Sequence, residues 1–509
     1  MTEPSWRFDI APRDEHNRRL VANVHPDDWT PPKPEPIYNL IVIGGGTAGL
    51  ISAIGCAALG GKVALIERHL MGGDCLNVGC VPSKCLIRSA RVAAEMADAG
   101  RFGLTPHAVA AADFPAVMER LRRLRAGISR NDSAKRYSET AVHVFLGEAS
   151  FMDRHSVNVN GTTLRFRKAV IAAGARAVRP AIPGLAEAGF LTNETVFNLT
   201  KLPRRLAVIG GGPIGCELAQ AFRRLGSDVT IVQHTRFLPK EDPEASALLA
   251  KVFEREGIEA LLEAKPIRVE KAGGAKRIII QTRDGEKIIE ADEILIGAGR
   301  QPNVEGLGLE KAGVVYDGRK GVQVDDFLRT TNPDVFAAGD VCMDWKFTHA
   351  ADAAARIVVQ NALFRGRKRL SALTMPWCTY TDPEIAHVGL YEADAQERGI
   401  ATDTYKVNLD DVDRAIVDGE TEGFVKVLVR KGTDRIVGAT IVAAHAGDLI
   451  SEISVAMAGK IGLKTIADII HPYPTQAEAI RRVAAAYNRT RLTPRVASLL
   501  KWWLTRQRG

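Results

Sequence analysis

The apolar and polar positions change period several times along the chain. Residues 38–43, YNLIVI, are a short continuous apolar run that stops at glycines, and TAGLISAIGCAALG then takes up a three-to-four-residue period before VALIE at 63–67. This order predicts a buried strand, a glycine turn, a helix and a second strand. The same succession returns at 204–233, RRLAVIGGGPIGCELAQAFRRLGSDVTIVQ. Three shorter runs also end at glycine: KAVIAAGA (168–175), DEILIGAGRQPN (292–303) and TNPDVFAAGDV (331–341). From about residue 371 the character shifts. FVKVLVRKGTDRIVGATIVA (424–443) reads as an antiparallel hairpin, and DLISEISVAMAGKIG (448–462) reads as an amphipathic helix. The polar residues 1–36 end in WTPPKPEP and are expected to be extended or loosely packed. Near the other end Thr493 and Pro494 suit an N-cap and first helical residue. Val496, Leu499, Leu500, Trp503 and Leu504 then fall on one helical face, with Arg495, Lys501 and Arg506 off it.

The predicted fold class is α/β, with two Rossmann-like dinucleotide-binding domains and a C-terminal α+β domain. The expected division is an N-terminal extension at 1–36, a first dinucleotide domain at 37–185 that resumes at 306–370, and a second at 186–305. An interface domain at 371–490 and a basic amphipathic tail at 491–509 follow. A chain of 509 residues exceeds the size of a single core. With 46% hydrophobic and 25% charged residues it is ordinary for a soluble protein. It has no apolar run of membrane-spanning length, and its N-terminal residues do not read as a secretory signal, so a cytoplasmic location is expected.

The formal charge is +8, and residues 481–509 carry eight Lys or Arg and no acid. The rest of the chain is neutral, so nothing marks its body as a nucleic-acid binder. The tail, residues 493–509, is read as a basic helix suited to peripheral contact with an anionic membrane face.

Each glycine turn carries chemistry. Gly44, Gly46 and Gly49 spell GxGxxG directly after a strand, and Glu67 ends the next strand 23 positions on. The first glycine makes the turn, the second lets backbone approach a pyrophosphate, and the third lets helix pack on strand; the acid accepts a ribose hydroxyl. Gly210, Gly212 and Gly215 repeat the motif, but the position 23 residues on is Gln233, followed by His234 and Arg236. Two such folds imply two dinucleotides. Loss of the carboxylate favours a 2′-phosphate, hence NADPH, with NADH as the alternative. Gly174 and Gly299 end strand-to-turn junctions, and Asp340 is placed to hold the sugar chain of a cofactor.

Cys75 and Cys80 lie in GGDCLNVGCVPSK. No second pair at zinc spacing exists, and Cys56, Cys85, Cys216, Cys342 and Cys378 are scattered singly. In a reducing compartment so close a pair suits redox turnover.

In this order, GxGxxG, CxxxxC, GxGxxG, GRQPN and AAGDV, the sequence from about 37 to 488 resembles the class I pyridine nucleotide–disulfide oxidoreductases. Within them it is most similar to the mercuric reductase branch. The resemblance implies FAD on the first repeat and Asp340, NAD(P)H on the second repeat, and a homodimer whose active site is shared between subunits. It implies that Cys80 faces the flavin at the start of a helix and that Cys75, one helical turn away, meets the acceptor. It also implies that Lys84 pairs with Glu217. Disulfide-reducing members end in His-Pro-Thr-x-x-Glu, whereas this chain has HPYPTQAE. Anchoring on Thr475 and Glu478 puts Tyr473 in the histidine's place, as in mercuric reductases. The rival alignment keeps His471 as a base. Thr475-x-x-Glu478 also reads as a capping box.

The expected acceptor is a soft metal ion such as Hg(II), held as substrate by Cys75 and Cys80, or another small thiol-reactive compound. No cysteine follows Cys378 to serve as the metal-delivering pair of that branch. The alternatives are a disulfide reductase or dihydrolipoamide dehydrogenase using His471, and an electron-transfer or redox-sensing flavoprotein docked to a partner or membrane.

Overall fold

The computed structural model describes residues 8–105 and 112–508. Residues 1–7 of the N-terminal extension and residue 509 of the tail lie outside the described residues. The chain forms two compact units, one of residues up to 235 with 256–373, the other of 236–255 with 374 onward.

In the first unit, strands Val142–Leu146, Val63–Glu67, Tyr38–Ile43 and Thr162–Ile171 lie side by side in that order, and Val335–Ala337 joins the last. All these pairs are parallel, and Tyr38–Ile43 at the centre is apolar on both faces, as a covered parallel strand must be. An antiparallel hairpin, Ala149–Asp153 and Ser156–Val159, extends Thr162–Ile171. A second parallel sheet runs Glu259–Leu262, Asp228–Gln233, Arg205–Ile209, Glu293–Ile296. The two doubly wound sheets and the antiparallel C-terminal sheet agree with the expected fold class.

Five helices matter for the site: α1 (Glu15–Val24), α2 (Thr47–Ala58), α3 (Gly73–Asn77), α4 (Cys80–Ala97) and α5 (Phe114–Ile128). The first corrects the expectation of a loose N-terminal segment. Asp14 caps α1 by accepting from the Asn17 amide at 2.8 Å, and Leu20, Val21 and Val24 are buried on one face against α5. The stripe is only three residues long, so the polarity of the segment hides it.

In the second unit a five-stranded antiparallel sheet runs Pro376–Thr379, Glu384–Gly389, Ile436–Ala443, Phe424–Arg430, Thr402–Asn408. Helices Ala446–Ala458, Leu463–Asp468 and Glu478–Thr490 cover it around a core that includes Val427, Ile441, Ile453 and Ile480. The segment 236–255 belongs here through a buried polar cluster. Glu241 accepts from Trp377 Nε1 at 2.8 Å and from Tyr391 Oη at 2.5 Å, and Asp242 pairs with Lys426 at 2.9 Å. The tail helix Pro494–Arg506 forms as expected, capped by Thr493, and buries none of its residues. Among the described residues no helix is long and apolar enough to cross a membrane.

Candidate active site

The first glycine motif is built as its spacing requires. Gly44 has φ +110°, and a Cβ there would sit 2.3 Å from the Ala172 carbonyl oxygen. A Cβ on Gly49 would come within 1.7 Å of the Gly44 oxygen, so strand and helix meet only through glycine. Gly46 is the N-cap of α2 and has no side-chain cap, which leaves the helix N–H groups to a ligand. The buried Glu67 carboxylate accepts from the amides of Gly45 (2.5 Å) and His69 (2.6 Å). Burial raises its pKa against those bonds. The cradle and its fixed carboxylate fit the adenosine diphosphate half of FAD. Gly174, at φ +68°, turns the chain after Thr162–Ile171.

Asp340 accepts from Arg300 Nε at 3.2 Å, and the same guanidinium reaches Asp74 and, at 2.8 Å, the Ala175 carbonyl. Burial raises the Asp340 pKa. Arg300 thus ties the residue before Cys75 to the turn that presents Asp340. The contact of residues 226 positions apart leaves no periodic trace, and GRQPN was its only sequence signal.

The second motif repeats the first. Gly210 has φ +113°, a Cβ on Gly215 would approach the Gly210 oxygen to 1.9 Å, and Gly212 is the uncapped N-cap of helix Pro213–Arg224. Gln233 is buried where Glu67 stands in the first repeat and accepts from the Gly211 amide at 3.0 Å. Its amide nitrogen donates to Thr235 at 2.9 Å. His234 is exposed, and Arg236 donates to the carbonyls of Pro239 and Glu241. Gly299, at φ +113°, turns the chain beyond strand Glu293–Ile296.

The cysteines straddle a break between two helices rather than one turn of a continuous helix. Cys75 lies in α3, Val78 and Gly79 interrupt, and Cys80 is the first residue of α4. A Cβ on Gly79 would lie 2.8 Å from the Asp74 carbonyl oxygen, so the sharp junction needs glycine. No disulfide joins the two sulfurs in this structure, and Cys80 Sγ is 3.4 Å from the Thr348 hydroxyl, a contact that sequence reasoning missed. The Cys80 thiol is lowered to about 6, first by its hydrogen bond with Cys75, then by Thr348 and the Lys84 ammonium; burial and Glu217 oppose this. The uncapped N-terminus of α4 acts in the same direction. Cys75 moves the other way, raised by the same hydrogen bond and by burial. The opposite shifts favour a pair that shares one proton, with the thiolate character at Cys80. Lys84 donates to Glu217 at 2.8 Å, with the carboxylate nearly buried on helix Pro213–Arg224, which packs against α4.

In the second unit His471 is tied at both ring nitrogens, to Glu452 at 2.9 Å and to the Ile469 carbonyl at 3.1 Å, and its side chain is 6% exposed. Tyr473 is 71% exposed, and its hydroxyl donates to Asp413 at 2.8 Å. Glu478 bonds neither residue; it accepts from Arg481 (3.0 Å) and Arg482 (3.2 Å). The capping-box expectation fails. Thr475 donates back to the Pro472 carbonyl at 2.9 Å, and the helix starts only at Glu478, capped by Ala477.

Comparison with known proteins agrees with this geometry. The family model described as pyridine nucleotide-disulphide oxidoreductase matches residues 38–355, and the dimerisation domain of the same family matches 375–484. A mercuric reductase of Lysinibacillus sphaericus is 35% identical over 89% of this chain and 83% of its own length. A dihydrolipoyl dehydrogenase of Chlamydia muridarum is 33% identical over 87% and 95%. Among solved structures, the HOCl-induced flavoprotein disulfide reductase RclA from Escherichia coli aligns with a TM-score of 0.78 at 28% identity, covering 88% of this chain and 99% of that one. Its Cu(II) complex aligns with the same score. The chain belongs to the class I pyridine nucleotide–disulfide oxidoreductases, flavoproteins that carry FAD and take electrons from a pyridine nucleotide.

Proposed function

We propose that the protein is a homodimeric NADPH-dependent reductase whose Cys75–Cys80 pair delivers two electrons to a soft metal ion such as Hg(II), or to another small thiol-reactive acceptor. Bound FAD would supply the two-electron relay between nicotinamide and the cysteines. NADPH provides a hydride equivalent, which converts the Cys75–Cys80 disulfide into one thiolate, Cys80, and one thiol, Cys75. A divalent acceptor ion takes the pair's two electrons, the S–S bond reforms, and the Cys75 proton leaves. Lys84 and Thr348 hold the charge on Cys80 between these steps, and two sulfur donors suit a soft ion. For RclA a Cu(II) complex is known.

The observation that carries the choice of acceptor is the contrast between Tyr473, exposed and able to meet an acceptor across a dimer interface, and His471, closed in by Glu452 and a carbonyl. A tyrosine near pH 10 positions rather than shuttles protons. Ile470 (93% exposed) and Val417 (72%) give the C-terminal unit the apolar surface a homodimer needs. The His471–Glu452 pair also favours a second reading, a disulfide or lipoamide reductase in which Glu452 orients His471 as base. An anaerobic screen of reduced enzyme against Hg(II), glutathione disulfide, lipoamide and quinones separates the two. The first reading expects Hg(II) to turn over fastest and Tyr473→Phe to slow acceptor turnover more than His471→Ala. Fastest turnover of a disulfide, with the opposite ranking of variants, establishes the second.

NADPH is favoured because Gln233 presents no carboxylate to a 2′-phosphate and His234 is exposed beside it. The tail helix supports peripheral attachment to an anionic bilayer. Val496, Leu499, Leu500, Trp503 and Leu504 are all at least 41% exposed on a segment with no acid, and Arg506 lies over Trp502 at 5.5 Å. Salt-sensitive co-sedimentation with anionic but not neutral vesicles, lost when 493–509 is removed, is expected. If deletion instead abolishes the dimer and leaves vesicle binding intact, the helix is covered by a second copy.

A further inference from the structure

The N-terminal segment is bonded to the redox-active loop at two points. At one, the Met71 amide donates to the Val24 carbonyl at 3.1 Å, and His25 Nδ1 meets the His69 carbonyl. At the other, the fully buried Arg125 of α5 donates from Nη2 to the side chain of Asn17 in α1 (2.8 Å) and from Nη1 to the Asn77 carbonyl (2.6 Å). Asn77 is the last residue of α3, where unpaired helix carbonyls gather partial negative charge. Its own side chain donates to the carbonyls of Gly73 (2.8 Å) and Met71 (3.1 Å), so one residue clamps both ends of the short helix that carries Cys75.

A buried guanidinium in this position is costly. Arg125 hydrogen-bonds no carboxylate, its Nε has no partner, and burial pulls it down to about 10. Among the described residues two acceptors hold it, one from α1 and one from α3. Asp14, the N-cap of α1, meets the neighbouring Arg122 at 2.5 Å and adds a second ion-paired tie between α1 and α5. Such a cation is kept where it fixes geometry, because removing one partner strands the charge.

We propose that α1 is a positioning element for the redox pair, acting through Asn17 and Arg125 to fix α3 against α4 and so to set how Cys75 meets Cys80. The proposal concerns the cysteine pair of the family as a whole and does not depend on which acceptor the enzyme uses. Since the contact with Cys75 is the largest influence holding Cys80 as a thiolate, loosening α3 raises the pH at which Cys80 ionises.

The test measures the pH dependence of iodoacetamide alkylation of Cys80 in the reduced holoenzyme, by mass spectrometry, alongside thermal stability. Asn17→Leu removes the acceptor and is expected to move the alkylation midpoint up by about one pH unit, a tenfold loss of thiolate at pH 5. Asn17→Asp keeps an acceptor for Arg125 and is expected to retain the parent midpoint. Asn23→Ala breaks a different bond of α1, to Ser129 at 2.8 Å, and is expected to lower stability alone. If Asn17→Leu does not fold, Arg125→Lys, which keeps the charge but lacks the fork that reaches the two acceptors from separate nitrogens, is read in its place with the same upward shift expected. A parent-like midpoint in the folded variant, with only stability reduced, overturns the proposal.

Discussion

Replacing Lys84 by Met removes the ammonium that faces both Cys80 and Glu217 and keeps the length of the side chain. Lys84 lies four residues after Cys80 on α4, one turn along, where side chains stand about 5–6 Å apart. At about 6 Å and an effective dielectric of about 20, a unit charge is worth about 3 kcal/mol, or about two pH units on a thiol. The Glu217 carboxylate, 2.8 Å from the ammonium, pushes the other way, so the intact pair pulls Cys80 down by roughly one unit. Lys84→Met removes the pull and leaves the push, and the Cys80 midpoint is expected to rise from about 6 by roughly two units. Glu217→Gln leaves the pull unopposed and shifts the midpoint down. The double replacement removes both the pull and the push and leaves the midpoint about one unit above the parent. The assay is a pH titration of the long-wavelength absorbance of thiolate beside oxidised flavin after two-electron reduction, checked against alkylation rates. A Lys84→Met midpoint that stays put or falls would refute the reasoning, and would mean that Cys75, Thr348 and the helix N-terminus hold the thiolate without the ammonium.

Three further outcomes follow from the same geometry. Cys80→Ser is expected to abolish the long-wavelength band and Cys75→Ser to retain it in the absorbance spectrum of the reduced enzyme; the reverse exchanges their roles. Gln233→Glu is expected to shift kcat/KM towards NADH by about tenfold, since a carboxylate bonds the 2′-hydroxyl and repels a 2′-phosphate; steady-state kinetics with both nucleotides checks it. His387 is fully buried between Thr440 (2.9 Å) and the Gly389 carbonyl (3.2 Å) and is lowered to about 4, chiefly by burial. The unfolded chain binds that proton at about 6.5, so the fold has its full stability above that pH and loses about 3 kcal/mol as pH falls towards 4. Denaturation across this range is expected to show the slope in the parent and not in His387→Gln.

The features legible in the sequence are those with a local period or a fixed spacing. The two strand–glycine–helix units announce themselves because Gly44, Gly49, Gly210 and Gly215 satisfy contacts within a few residues. The Lys84–Glu217 pair spans 133 positions and was reached only through resemblance to a family. Thr348 and Arg300 act across still longer separations, and Arg125 across 48 and 108 positions, with no pattern to mark them. The break at Gly79 was missed because a helix period continues through it; only the closeness of the Asp74 carbonyl shows that the chain must turn. Helix α1 escaped notice because its apolar side is three residues wide and its remaining bonds are polar. The Thr475–Glu478 spacing misled because Thr475 turns its hydroxyl backward to Pro472.

The polar cluster around Glu241 has a consequence for synthesis. Glu241 lies 136 residues before Trp377, and Asp242 lies 184 before Lys426. A ribosome adding about 5–20 residues per second needs roughly 7–40 s to supply these partners. Throughout that interval the nascent segment carries Phe237, Leu249 and Phe253, all buried in the finished protein, while the partners of Glu241 and Asp242 are still to be made. The buried core under the C-terminal sheet is drawn from residues 386–484 alone, so that sheet can form on its own residues and then take up the earlier segment. The polar cluster is completed last, by a piece made long before its partners, and that waiting piece is what a chaperone would meet first.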